Sequence, residues 1–333
     1  MRESTYDLSG ARKVFSRIGW AMCEILVITT ILQILCAEVL STLWGEDHWL
    51  NTSWGMWLGS VGPLYVIAIP VSLLIMRKLP AQKPEDNKLG GKNFLVFLPI
   101  CFFLMYSGNI IGTLLSFVFS GGMAQNELLD FVMDTSPLKV LVMVILAPML
   151  EEYVCRKQII DRTRQYGEKT AVFLSALVFG LLHQNLFQFF YAFALGLVFA
   201  YIYIRTGRLR YTILLHGIVN FMGSVVAPWI LSLVDMETLA GLDPNASIDE
   251  IMALYAEILP GLAVYMLYVL LLIGLSIAGL VLLIIKCKQL IWKEAESQLP
   301  KGTCVKTVYW NVGMVLYILL CIIAVVISLF GGI

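Results

Sequence analysis

Six polar side chains stand at helical spacings in a very apolar stretch of the chain: Glu151, Glu152 and Arg156, then His183 one turn after Phe179, then His216 with Asn220. Their types suit hydrolysis. A carboxylate beside a histidine can hold and deprotonate a water, and two hydrogen-bond donors on one helical face suit the oxyanion formed when that water attacks a carbonyl. Residues four apart share a helical face. Glu152 can therefore pair with Arg156, while Glu151 points about 100° away, as 3.6 residues per turn require. One acid then serves as a structural partner, and the other is free to face a cavity as a base. A charge near the centre of a bilayer costs about 2.5–3.5 kcal/mol on insertion scales, which makes each of these groups a functional candidate.

Each motif also has a structural alternative. The two acids could sit at the membrane interface beside Arg156 and Lys157, and His183 could be hydrogen-bonded packing on a helix of Ala, Leu, Val, Ser and Gly. The chain has only three histidines, and the third, His48, lies in the loop Glu46-Asp47-His48-Trp49, where solvation explains it. Cys155 adjoins Arg156 at the expected end of a span and is disfavoured as a nucleophile.

The elements that must position these residues follow from composition. With 59% hydrophobic and 14% charged residues and a mean hydropathy of +0.83, the 333-residue chain takes the bilayer as its solvent. The zero formal net charge implies no nucleic-acid partner. Apolar stretches of about 20 residues, enough to cross the hydrocarbon core, fall near 18-44, 55-76, 93-119, 137-155, 170-186, 187-204, 211-233, 259-285 and 307-331. The expected fold is thus an all-α polytopic membrane protein of about nine transmembrane helices. The first apolar run has no small-residue cleavage site and reads as a retained span.

Charge gives the orientation. All of the 23 Lys and Arg except Lys139 fall on alternate connections: the N-terminal tail, 77-92, 156-169, 205-210 and 286-306. The other connections hold Glu46, Asp47, Glu127, Asp130, Asp134 and an acidic segment, 235-257, read as an outer loop with a short helix. The positive-inside rule then predicts N-in, C-out. The seven cysteines are scattered without a C-x-x-C pair and read as small core hydrophobes. Gly108 and Gly112 form a G-x-x-x-G that lets helices approach closely. Glu24 and Glu38 are expected to face neighbouring helices or snorkel, Gln33 and Asn109 to hydrogen-bond between helices, and 184-188 to form a tight outer turn.

The ordered set Glu-Glu-x-x-x-Arg, Phe-x-x-x-His and His-x-x-x-Asn resembles the CPBP family, which comprises CAAX proteases and bacteriocin-processing enzymes and is also called the abortive-infection family. Phe193-Ala194-Leu195-Gly196 followed by Thr206-Gly207 is similar to the family's Phe-x-x-Gly to Thr-Gly segment, with Ala200 where many members carry a second glycine. The resemblance covers about 137 to 225. It divides the chain into N-terminal membrane helices at 1-136, a CPBP-like catalytic core at 137-225, and a C-terminal part at 226-333. It implies an intramembrane endopeptidase related to the type II CAAX-prenyl proteases. In that reading Glu151 and His183 match the water-activating pair, His216 and Asn220 the oxyanion-binding pair, and Glu152 with Arg156 a structural or assisting ion pair. The expected setting is a multi-pass protein of a prokaryotic plasma membrane, with membrane-associated peptides or proteins as substrates rather than prenylated ones.

No cofactor is expected first, and zinc is the rival. Catalytic zinc takes three protein ligands plus water, which Glu151, His183 and His216 could supply, although the chain has no H-E-x-x-H pair. The functional rivals are a non-catalytic immunity or scaffold protein of the same family and, further off, a transporter. One tension remains in the spacings. At about 1.5 Å per residue, His183 lies on the order of 20 Å from the cationic end of its span and Glu151 and His216 on the order of 7–9 Å, so the site is expected on the cytosolic side only if the fifth helix tilts or extends.

Overall fold

In the computed structural model, residues 7–44, 52–234 and 247–331 are described. His48, Glu46, Asp47 and most of the acidic outer segment lie outside them. The described residues form helices and no strand: α1 (Leu8–Trp44), α2 (Ser53–Met76), α3 (Gly91–Ser120), the short α4 (Leu128–Met133), α5 (Val140–Thr163), α6 (Glu168–Leu181), α7 (Leu186–Thr206), α8 (Leu209–Leu231), α9 (Ile248–Cys287), the short α10 (Cys304–Val308) and α11 (Val312–Phe330). Seven of these, α1, α2, α3, α7, α8, α9 and α11, are long and apolar enough to cross a membrane. The chain is an all-α multi-pass membrane protein. Helices α5 and α6 occupy the places of the predicted fourth and fifth spans. The end of the acidic segment forms no separate helix, because residues from Ile248 onward run continuously into α9.

The outer surface is apolar, as a hydrocarbon solvent allows. Leu267, Leu271 and Ile277 are exposed on α9, and Phe117 and Val66 stand out on α3 and α2. Inside, small residues set the helix spacing. A Cβ at Gly108 would collide with the Tyr191 backbone of α7, and one at Gly112 with the Leu186 carbonyl, so the G-x-x-x-G of α3 is the close-approach surface that its spacing predicts. Gly112→Val is expected to push α3 from α7 and cost about 1–3 kcal/mol or more, read as a lowered unfolding midpoint in detergent.

Several spans are not plain α-helix. Wide π turns occupy Val140–Leu146 and Tyr153–Gln158 in α5 and Met222–Val226 in α8. Pro148 and Pro228 follow two of them closely. Proline lacks an N–H and crowds the carbonyl four residues back, and a wider turn relieves both problems inside lipid, where each backbone group needs a partner.

Helix α5 differs most from the sequence expectation. It continues to Thr163 instead of ending near 155, so Arg156 and Arg162, read from sequence as loop cations, are buried helical residues. The reason is local pairing. Arg156 meets Glu152, and Arg162 donates to the Met76 and Gln158 carbonyls. Asn109 is exposed on α3 instead of bridging helices, whereas Gln33 does bridge, donating to the Ser60 carbonyl at 2.6 Å. Glu24 sits among neighbouring helices with both carboxylate oxygens buried. Cys23, Cys101, Cys155 and Cys321 are buried, and all seven cysteines are free.

At the Lys/Arg-poor end, Asp134 ties the start of α2 to the α4–α5 connection. Its carboxylate accepts from Trp57 Nε1 at 2.7 Å, Ser53 Oγ at 2.8 Å and Ser136. Burial alone would raise its pKa, but these hydrogen bonds outweigh burial and hold it down at about 2. A depressed carboxylate contributes stability that is present above its unfolded pKa and lost as pH falls through the folded value. Asp134→Asn is therefore expected to lower the thermal midpoint at pH 6, and the gap between variant and parent to close between about pH 4 and pH 2.

Candidate active site

Helix α5 carries Glu151 and Glu152 at its middle, at the boundary between an α and a π segment. Glu152 and Arg156 are wholly buried and bidentate, Nε to Oε2 at 2.9 Å and Nη2 to Oε1 at 3.1 Å. The guanidinium is otherwise satisfied by Ser175, whose Oγ accepts at 3.0 Å. Its carbon lies 4.6 Å from the Phe179 ring centroid and 5.7 Å from that of Phe199, within cation–π range. The pairing expected from the i,i+4 spacing is present.

His216 of α8 lies between the two acids. Its Nδ1 is 3.2 Å from Glu152 Oε1, and its Nε2 is 3.9 Å from Glu151 Oε2. The ring stacks on Phe199 and meets the edge of Phe179. Glu151 also accepts from the Tyr65 hydroxyl of α2 at 3.2 Å. Asn220 donates to the Met143 carbonyl at 2.8 Å, tying α8 to the π segment of α5. Its amide has two hydrogens, so one donor is left for another acceptor.

His183 ends α6. Its Nδ1 is 2.8 Å from the Phe179 carbonyl, and a carbonyl only accepts. The proton is therefore on Nδ1, and Nε2 presents a lone pair. Helix α6 has 14 residues, about 21 Å at 1.5 Å each, which is short of the roughly 30 Å hydrocarbon core. The turn after it lines a cavity at Leu182, His183 and Gln184, the setting in which irregular backbone is tolerated within a membrane protein. Asn185 secures that turn, donating to the His183 carbonyl and accepting from the Gln188 amide. The turn expected over 184-188 lies earlier, at residues 182-185, because Leu186 already opens α7 with Asn185 as its cap.

A cavity of about 170 Å³ lies between α1, α2, α5 and α6, and both Glu151 and His183 are in its wall. One water needs roughly 10–15 Å³, so several fit. His216 stands behind Glu151, and neither His216 nor Asn220 is in that wall. The depth differs from the sequence expectation. Because α5 runs on to Thr163, Glu151 lies midway along its helix, and the cavity extends toward the Lys/Arg-poor end where α6 meets α7. The spacing tension disappears for the same reason: Glu151 is on the order of 18 Å from the cationic end of α5, close to the depth of His183.

Among the described residues no three His, Cys, Asp or Glu side chains converge to hold a metal ion. His216 turns Nδ1 toward Glu152 and Nε2 toward Glu151, and His183 commits Nδ1 to a carbonyl, so each ring keeps Nε2 as the nitrogen open to a ligand, an orientation that metal-ligating histidines also show. Were a zinc bound, Glu151, His183 and His216 would hold it, and it would supply a more acidic water.

The sequence reading missed Tyr65. A phenol in the middle of an apolar span is a signal, because a buried hydroxyl usually finds a partner. It also missed Ser175, which completes the Arg156 environment.

Residues 134–222 match the model of the family described as "Type II CAAX prenyl endopeptidase Rce1-like". That segment contains Glu151, Glu152, Arg156, His183, His216 and Asn220. The chain is 29% identical over 165 residues to the Bacillus subtilis (strain 168) protein named "Putative membrane peptidase YdiL". The match covers 47% of this chain and 66% of that relative, just under two thirds of its length. The relative is bacterial, in keeping with the prokaryotic membrane expected from sequence. No solved structure matches the chain.

Proposed function

We propose that this chain, whose residues 134–222 match the type II CAAX prenyl endopeptidase Rce1-like model, is an intramembrane endopeptidase that hydrolyses a peptide bond in a membrane-associated peptide or protein. The observation that carries the reading is the cavity wall shared by Glu151 and the lone-pair face of His183. Glu151 and His183 hold a water between them, and Glu151 takes its proton as the water attacks the scissile carbonyl. The oxyanion role that the resemblance gives His216 and Asn220 requires the scissile carbonyl to reach past Glu151, because neither residue lines the cavity; losing one such donor typically costs on the order of 100- to 1,000-fold in rate. Glu152, neutralised by Arg156, fixes the His216 ring. Tyr65 donates to one oxygen of Glu151 and leaves the other toward His216. The N-in, C-out orientation read from the charges accompanies this proposal.

The test uses purified protein in bicelles with a pool of membrane-anchored peptides, with products read by mass spectrometry. Cleavage should place one oxygen from labelled water in the new carboxylate, and prior treatment with a strong chelator should leave the rate unchanged. No cleavage by the parent, with its biological activity intact, would favour the scaffold reading. Loss on chelation with recovery on adding zinc would replace the metal-free mechanism.

A further inference from the structure

Besides Glu151 and His183, the wall of the central cavity contains three polar side chains: Thr29 and Gln33 from α1, and Gln184 from the turn after α6. None belongs to the proposed chemistry. Thr29 is 8% exposed, and its hydroxyl is fully buried without a hydrogen-bond partner. A helical threonine can usually satisfy itself on the carbonyl four residues back, and leaving such a group unpaired costs about 1–3 kcal/mol. Gln33, one turn on, gives its amide nitrogen to Ser60 and keeps its carbonyl oxygen.

Gln184 is costly in another way. Its φ of +57° makes it the only non-glycine residue with positive φ among the described residues. The same backbone geometry closes α3 at Gly121 and α7 at Gly207, where glycine adopts it freely. A glutamine here holds a strained backbone of order 1–3 kcal/mol while presenting its side chain to the cavity.

Three polar groups, one unpaired and one strained, thus share an otherwise apolar cavity wall with the proposed base. Their spacing fits a particular ligand. Thr29 and Gln33 are four residues apart, a rise of about 6 Å, and an extended peptide repeats its same-side backbone groups every two residues, at about 6.6 Å. The geometry points to a subsite that binds an extended, apolar peptide segment along α1. Thr29, Gln33 and Gln184 pair with its backbone, and the cavity of about 170 Å³ takes one of its side chains among Ile25, Leu26, Leu64 and Ile69. This inference rests on the peptidase reading and adds the substrate's conformation and polarity. It also assigns recognition to helices outside the segment that matches the family model.

The experiment measures binding, so that it does not depend on turnover. Full-length Glu151→Gln protein in bicelles is titrated against a dansylated twelve-residue Leu/Ala-rich peptide, and anisotropy is recorded. Thr29→Val and Gln184→Gly should each raise Kd about 5- to 30-fold, whereas Thr29→Ser should keep the parent value. Both weakened variants should melt at or above the parent temperature, since each removes an unpaired or strained group; a purely structural role would lower it. An unchanged Kd in both variants, or no saturable binding by the parent, overturns the subsite. Failure of the peptidase reading shows separately, as absent cleavage by the wild-type protein while this binding persists.

Discussion

Glu151→Gln is expected to lower peptide turnover by about 10²- to 10⁴-fold, the contribution a positioned general base makes, while leaving the fold intact. The amide keeps the shape of the carboxylate and can still meet the Tyr65 hydroxyl through its oxygen, so packing is preserved while basicity is lost. Glu151 is partly exposed and meets His216 Nε2 at 3.9 Å rather than a fully buried guanidinium. Single-turnover cleavage together with a denaturant titration separates the two effects. A rate within a few-fold of the parent would remove Glu151 from the base role.

Arg156→Met should have the opposite profile, with stability falling first. The guanidinium is entirely buried and compensates Glu152, and removing one partner of a buried pair leaves an unpaired charge at a cost of about 3–5 kcal/mol. Replacing both, as Glu152→Leu with Arg156→Met, is expected to recover most of that loss, because two apolar groups of similar size need no compensation. Activity should not return with stability. His216 Nδ1 has then lost its acceptor, Glu152 Oε1, and the ring that faces Glu151 is no longer held. Unfolding midpoints and cleavage rates measured on the parent, the single variant and the double variant test both halves.

Much of this architecture can be read from the sequence because the bilayer imposes simple rules. A run of apolar residues between charged connections has to be a helix, and the i,i+4 spacings of Glu152 with Arg156, Phe179 with His183 and His216 with Asn220 place those pairs on shared faces. The boundary of α5 was not legible for a related reason. Arg156, Lys157, Arg162 and Arg164 look like a cytosolic loop by charge alone, but two of these side chains are neutralised or capped inside the bundle by groups on other turns and other helices. That continuation put Glu151 midway along its helix, at nearly the same distance from the cationic helix end as His183. The contributions of α1 and α2 were hidden as well. Thr29 and Tyr65 are ordinary residues in apolar spans, and only the packing of those helices against α5 and α6 puts Thr29 in the cavity wall and the Tyr65 hydroxyl on Glu151.

The central claim is that Glu151 and His183 act on one water, and a double-mutant cycle in single-turnover cleavage tests it most directly. If the two side chains activate the same molecule, Glu151→Gln with His183→Gln should be no slower, within a few-fold, than the worse single variant, because either change alone disables the shared step. Losses that multiply in the double variant would place the two residues in independent steps and contradict the shared site.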